Sequence, residues 1–367
     1  MNRTLLLSGT AIISVLATTP LMAGSIGTGN NMNVSLSGEV RFQAHTGSQD
    51  KDSSVRQTGF KTDEAELAIS ASNSAENGFS YGVDIVLNVN TDDTTNGDKV
   101  WATVSSDSFG TLQLGDVGGP ADNYAIAGED VMAGRAGFDG ELSSIFDFGS
   151  TFLGTGNDPI SGNATKISYY TPEMNGLQLG MSFTPDAGAA GASFGEKDNN
   201  GSYEDIISVA ATYSTELSGA NFSASVTYEF GENEIATNSS GKALGVGATA
   251  TFGNYSMGVG YANFYDTGLT ASAVSSGQDA GTWYSLGVGY TAASYNVSLG
   301  YYHSTVGNGG SVGDSVSKAV SIDADTSLAD GWTLAANLSF SDAENRGRVS
   351  GDDNSGTSVI IYNIWSF

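Results

Sequence analysis

The residues able to carry chemistry are few in kind. Only two histidines, His45 and His303, occur in 367 residues, and cysteine is absent. Neither histidine has a second histidine or a cysteine at ligand spacing, so zinc has no ligand set. A Ser-His-Asp triad would need a histidine beside a serine and an aspartate at one rim. His45 keeps a hydrolase, an esterase or protease, as the alternative from another class. Gly245-Val246-Gly247 and Gly287-Val288-Gly289 offer the glycines of a nucleotide loop, but they sit inside alternating segments and open no helix. Asp198-Asn199-Asn200-Gly201 with Glu204-Asp205, and Asp352-Asp353-Asn354, offer oxygen ligands for a structural Ca2+. The full twelve-residue loop pattern is missing, so a solvated acidic loop is the preferred reading there. No other cofactor is implied.

What remains is charge. Forty acidic residues face thirteen basic ones, for a net charge of −27. That excludes a basic nucleic-acid footprint and allows solubility, or a lumen and loops that favour cations. Acids gather in Val117–Ala164: Asp122, Glu129, Asp130, Asp139, Glu141, Asp147 and Asp158, against the single Arg135. This run of about 48 residues has no sustained hydrophobic period, where connections are usually ~4–6 residues long. It also carries apolar anchors such as Tyr124, Met132, Phe138, Leu142, Phe146 and Phe148. A solvated loop would not need them. The expectation is a segment folded against a wall, with Glu129, Asp130, Asp139 and Glu141 on its acidic side.

The elements that must position this segment alternate with period two. Tyr255, Met257, Val259 and Tyr261 interleave with Ser256, Gly258, Gly260 and Ala262. Tyr284, Leu286, Val288 and Tyr290 interleave with Ser285, Gly287 and Gly289. Such alternation is a strand with two unlike faces, and aromatics at strand ends match the girdles of membrane barrels. Sixteen segments of this kind start near Val34, Lys61, Phe79, Lys99, Thr111, Thr165, Leu177, Asp205, Asn221, Ala243, Tyr255, Thr282, Tyr295, Val316, Trp332 and Thr357. Short and long connections alternate between them, as in a barrel with turns on one rim and loops on the other. The spacing therefore predicts an all-β, 16-stranded antiparallel transmembrane barrel whose long loop folds into the lumen as a constriction. The small inward residues leave space for a water-filled channel. The terminal alternation Val359, Ile361, Asn363, Trp365, Phe367 fits a last strand that pairs with the first.

The compartment agrees. Arg3, the apolar Leu5–Ala17 and a cut after Ala23 read as an export signal over 1–23, leaving 24–367 as one barrel domain.

The block from Lys166 to Asp186, with Tyr169-Tyr170-Thr171-Pro172-Glu173, resembles the strand–turn–strand of alphaproteobacterial general-diffusion porins. Phe109-Gly110-Thr111-Leu112-Gln113-Leu114-Gly115-Asp116, Val34 to Phe42 and the terminal Phe367 are similar to the same family. The resemblance spans the mature chain. It implies a Gram-negative outer-membrane homotrimer, in contact with outer-membrane lipid, that passes small hydrophilic solutes and ions without reaction or cofactor. It implies a constriction loop at Val117–Ala164 facing a basic wall, for which Arg41 and Lys166 are the candidates. Arg41 shares its face with Glu39, Gln43 and His45, and Lys166 with Ser168 and Tyr170. Lys61 and Lys99 begin strands, where a rim position fits them as well as the wall. The acids outnumber these bases, so a moderate cation preference is expected. A substrate-specific channel is the remaining alternative; Tyr170 and Tyr302 are too few for a sugar track.

Overall fold

The computed structural model describes residues 24–29, 32–51, 56–90, 97–134, 138, 141–157, 160–188, 201–310 and 312–367. Residues 1–23, Arg135, Asp139, the Glu141 side chain and Asp198-Asn199-Asn200 lie outside the described residues. A short strand β1 (Gly24–Gly29) precedes β2 (Met32–Gln49), β3 (Thr58–Ser74), β4 (Ser80–Asn88), β5 (Gly97–Ser106) and β6 (Gly110–Asp116). After the long segment come β7 (Thr165–Tyr170), β8 (Leu177–Asp186), β9 (Tyr203–Leu217), β10 (Ala220–Asn233), β11 (Gly241–Phe252) and β12 (Tyr255–Asn263). Then follow β13 (Thr282–Thr291), β14 (Asn296–Val306), β15 (Ser315–Ala329), β16 (Trp332–Glu344) and β17 (Asn354–Ser366).

Each strand from β2 to β17 pairs antiparallel with its sequence neighbour, and β17 pairs back onto β2 from Gly356↔Gln49 to Ser366↔Glu39. Sixteen strands thus close a barrel, and the seam pairs the edges of the first and last strands. All sixteen start within a few residues of the positions read from periodicity. The backbone of Phe367 completes the seam by exchanging hydrogen bonds with Gly38 at 2.9 and 3.0 Å.

β1 is the element that periodicity misses. The seam register ends at Glu39, so the first residues of β2 run past the end of β17 with an open edge. β1 pairs with that edge, from Gly24↔Leu36 to Gly29↔Met32. Six residues are too short to show a period.

Alternation sorts the two faces. On β13, Tyr284, Leu286 and Val288 are exposed, while Trp283 and Ser285 are fully buried. Lipid-facing aromatics pair near the short-turn rim: Phe109 with Tyr169 at 5.5 Å, Tyr255 with Tyr290 at 5.0 Å, Trp332 with Trp365 at 6.3 Å. Phe42–Phe60 and Tyr284–Tyr301, each at 5.9 Å, mark the band nearer the long loops. Asn363, polar on this apolar face, accepts the Trp332 indole N–H at 3.3 Å, so its amide oxygen is satisfied without water.

Candidate functional site

The long segment between β6 and β7 begins at a narrow neck. The Lys166 ammonium, inward on β7, donates to the carbonyls of Val117 at 2.5 Å and Gly162 at 2.6 Å. Across from it, the Glu229 carboxylate on β10 accepts the Ile160 N–H at 3.2 Å and the Ser161 hydroxyl. Helix α1 (Pro120–Asn123) follows the neck. Its Ala121 N–H donates to Ser208 Oγ at 2.9 Å, and Asn123 Nδ2 donates to the Tyr170 hydroxyl at 2.7 Å.

The chain then crosses the inner face of β11–β15. The N–H groups of Gly128 and Ala133 donate to Ser285 and Ser298 hydroxyls, and that of Gly134 to the Asp325 carboxylate, each at 2.8 Å. One inward acceptor from each of three successive strands thus satisfies a backbone donor that lies away from bulk water. Glycine on the wall makes this approach possible. A Cβ on Gly260 would lie 2.6 Å from the Ile126 carbonyl oxygen and 2.7 Å from the Ala127 Cα. One on Gly287 would run into the Gly128 carbonyl. The space that small inward residues leave is therefore filled, on this side, by backbone of the segment.

The return arm is held by rings. Phe138 stacks on Tyr302 at 5.5 Å, Phe148 on Phe152 at 4.4 Å, and the Tyr302 hydroxyl donates to the Leu153 carbonyl. Trp283 Nε1 donates to the Gly156 carbonyl at 3.3 Å. Phe138, Leu142, Trp283 and Tyr302 are all buried in this cluster. At its far end Asp147 ion-pairs with Arg346 at 2.6 Å, and Gln49 Oε1 accepts the Asp147 N–H at 3.0 Å.

The acids named from sequence sit in this frame as follows. Glu129 accepts the Phe138 N–H at 2.5 Å and the Thr155 hydroxyl, so it ties the outgoing arm to the return arm. Asp130 accepts the Ala127 N–H at 2.8 Å. Both are half-buried. Burial pushes the Asp122 carboxyl up, against the pull of Lys99 and Lys166. Burial likewise pushes the Tyr124 phenol up.

The bases are placed differently from a simple basic wall. Lys166 serves the neck. Arg41, inward on β2, ion-pairs with Glu39 and Asp63, both at 3.2 Å. The wall of β2–β5 is an acid-rich ladder: Glu39 lies opposite Glu66, Arg41 opposite Glu64, and Ser70 opposite Asp84. Lys61 and Lys99 share that inner face, Lys61 bonded to Asp63 at 2.9 Å. Glu64, Glu66 and Asp84 escape a reading centred on the long segment. Their signal was present as acids two residues apart on one strand face, Glu64 and Glu66.

Neither histidine joins a serine and an aspartate. His45 Nε2 contacts the Arg56 carbonyl at 3.2 Å, and His303 stacks on Tyr284 at 4.9 Å on the outer face. Asp352 is engaged by Lys51 at 2.7 Å and Arg346 at 3.0 Å. Among the described residues, no three His, Cys, Asp or Glu side chains converge as a metal site would require.

The family model described as Gram-negative porin matches residues 9–346. An uncharacterised protein of Rickettsia conorii is 27% identical over 223 residues, 42% of this chain and 51% of that protein. The chain thus spans about half the length of that curated relative. Among solved structures, an anion-selective porin from Comamonas acidovorans superposes with a TM-score of 0.62 at 16% identity, covering 92% of this chain and 100% of that one. The trimer form of OmpT, an outer-membrane protein of Vibrio cholerae, gives a TM-score of 0.56 at 12% identity, over 92% of this chain and 99% of that one. At these identities the two structures share the fold.

Proposed function

This chain belongs to the Gram-negative porin family and resides in the outer membrane, and we propose that it is a passive, water-filled channel for small hydrophilic solutes and ions, moderately preferring cations. The observation that carries the reading is the division of the interior. Residues 126–133 of segment 117–164 lie with their backbone on the glycine and hydroxyl wall of β11–β14. The segment thereby narrows the lumen and leaves the charged ladder of β2–β5 bordering the water path. Charges lining a confined path create potentials of several kT and raise the local counter-ion concentration. Glu129 and Asp130 contribute to that field from the segment, as do Asp139 and Glu141 by their place in its sequence. Arg41 and Lys166 are each engaged by acceptors, which leaves the acids in excess. No reaction or cofactor is required, and the positions of the two histidines support a non-enzymatic role.

The assembled form is a homotrimer in this reading. Between the rings of Phe42 and Phe60 towards one rim and Tyr81 towards the other, the outer face of β2–β4 offers an aliphatic stretch that includes Leu36, Gly38, Leu67, Ile69, Val83 and Ile85. Such a face suits a second copy better than a lipid interface. Residues 1–23 act as the export signal. The test is conductance of the purified protein in a planar bilayer. Large, discrete steps grouped in threes are the expected result; a silent, correctly folded protein would overturn the proposal.

A further inference from the structure

Two of the most deeply buried charges in the chain do not border the water path. Lys166 is 2% exposed and Glu229 is 0% exposed. They come from β7 and β10, and both are aimed at the same feature, the neck of the long segment. Lys166 holds the carbonyls of Val117, where the segment leaves β6, and of Gly162, just before it re-enters β7. Glu229 holds the N–H of Ile160 and the hydroxyl of Ser161 on the returning arm. Gly162 stands at φ +43, in the left-handed region where a side chain is strained. The neck is therefore built from a cation that binds both arms, an anion that fixes one of them, and a glycine where the chain turns between them.

We propose, on the porin reading above, that Lys166 and Glu229 are positioning residues. They clasp the neck so that the two arms of segment 117–164 move as one body, and the placement of the segment across the lumen is fixed there rather than by the acids further along. Buried charges of this kind persist only when hydrogen-bonded. Bonds to charged groups are stronger than bonds between neutral ones, so losing these two from Lys166 should raise the population of a displaced segment by about a hundredfold or more. The Lys166 charge is offset by Glu229 and Asp122, on which it acts directly, so the neck adds little net charge to the field in the lumen. Tip contacts at Ser285, Ser298 and Asp325 then hold a segment whose base is already set.

The experiment is single-channel recording of wild type, Lys166→Met, Lys166→Arg, Glu229→Ala and Glu229→Gln, with heat-modifiable mobility as the check on the barrel. Lys166→Met and Glu229→Ala should show brief excursions to larger conductance about a hundredfold more often than wild type. Liposomes carrying them should admit larger neutral sugars. Lys166→Arg and Glu229→Gln, which keep hydrogen-bonding groups, should restore most of the quiet behaviour. If Lys166→Met fails to assemble, Glu229→Ala reads the other half of the clasp by the same criterion. A folded Lys166→Met or Glu229→Ala that is as quiet and as size-limited as wild type overturns the clasp while the porin reading stands. So does a Lys166→Met that shifts only the reversal potential, since Lys166 would then be a channel charge. A silent wild type would defeat the porin reading and the clasp with it.

Discussion

The inner wall has two halves that solve opposite problems. Under the long segment, β11–β14 present Gly260, Gly287, Ser285 and Ser298, residues that clear space for a backbone and accept its N–H groups. On the other side, β2–β5 present Glu39, Arg41, Lys61, Glu64, Glu66, Asp84 and Lys99. Ser285 and Tyr302 are sealed from water, whereas Glu64, Glu66 and Asp84 are half-buried and Lys61 is exposed. A wall that seats a backbone is thus small and neutral under it, with the Trp283 and Tyr302 rings beside it, and a wall that faces water is charged. Glu39 opposite Glu66 is a pairing that sheet stability alone disfavours. Its presence on the open half fits a surface shaped by what passes through the lumen.

The largest effect should come from spoiling the seat. In Gly287→Val the new side chain enters the space of the Gly128 carbonyl, at an overpacking cost of about 1–3 kcal/mol. That is enough to shift the seated population roughly 5- to 150-fold. Conductance and the neutral-sugar size limit should both rise while the barrel keeps its heat-modifiable mobility. The matching substitution on the open half, Gly82→Val on β4, should leave the size limit of the seated segment in place; an equal rise would erase the distinction between the two walls.

A smaller effect is expected from the charged half. Glu64→Gln with Glu66→Gln should lower the cation-to-anion permeability ratio roughly threefold, about one kT of potential, in 0.1 M KCl. The change should shrink at 1 M, where the Debye length falls from ~10 Å to ~3 Å. Glu129→Gln with Asp130→Asn should shift the ratio less and the open-channel noise more, because these acids knit the segment's own arms together. If the segment pair dominates selectivity, the filter belongs to the loop and not to the wall.

Much of this was legible in the sequence, and the illegible part has a physical reason. Period-two alternation located every strand of the barrel, because lipid outside and water or loop inside impose unlike faces on each strand. The long segment announced itself by its length, its acids and its rings. What alternation could not tell was whether a small inward residue borders water or backbone: Gly287 reads the same either way until the Gly128 carbonyl is seen above it. Nor does spacing reveal the partner of a buried charge. Lys166 looks like a wall base from its face on β7, yet it binds carbonyls at both ends of the segment. Glu229 in an apolar-and-serine alternation gave no sign of its task.

The smallest effect concerns the rim, where Asp147, Arg346, Asp352 and Lys51 join the segment's far end to two outer loops. Bonds from Lys51 and Arg346 hold the Asp352 carboxyl below its ordinary range. Its folded value is thus depressed relative to the unfolded chain, so the latch is fully present above the ordinary carboxylate pKa of about 4. It is lost as pH falls through the depressed value. Channel noise should therefore be insensitive to Asp352→Asn below that value and slightly raised by it at pH 7. A wild-type channel that loosens between pH 7 and 5 would place the responsive group elsewhere.

Segment 117–164 should set the width of the channel. The direct measurement is liposome swelling with a graded series of neutral sugars, for wild type and for a chain lacking residues 128–147. With the barrel shown to be folded by its heat-modifiable mobility, the shortened chain should admit sugars that the wild type excludes. An unchanged size limit in a folded barrel would contradict the account.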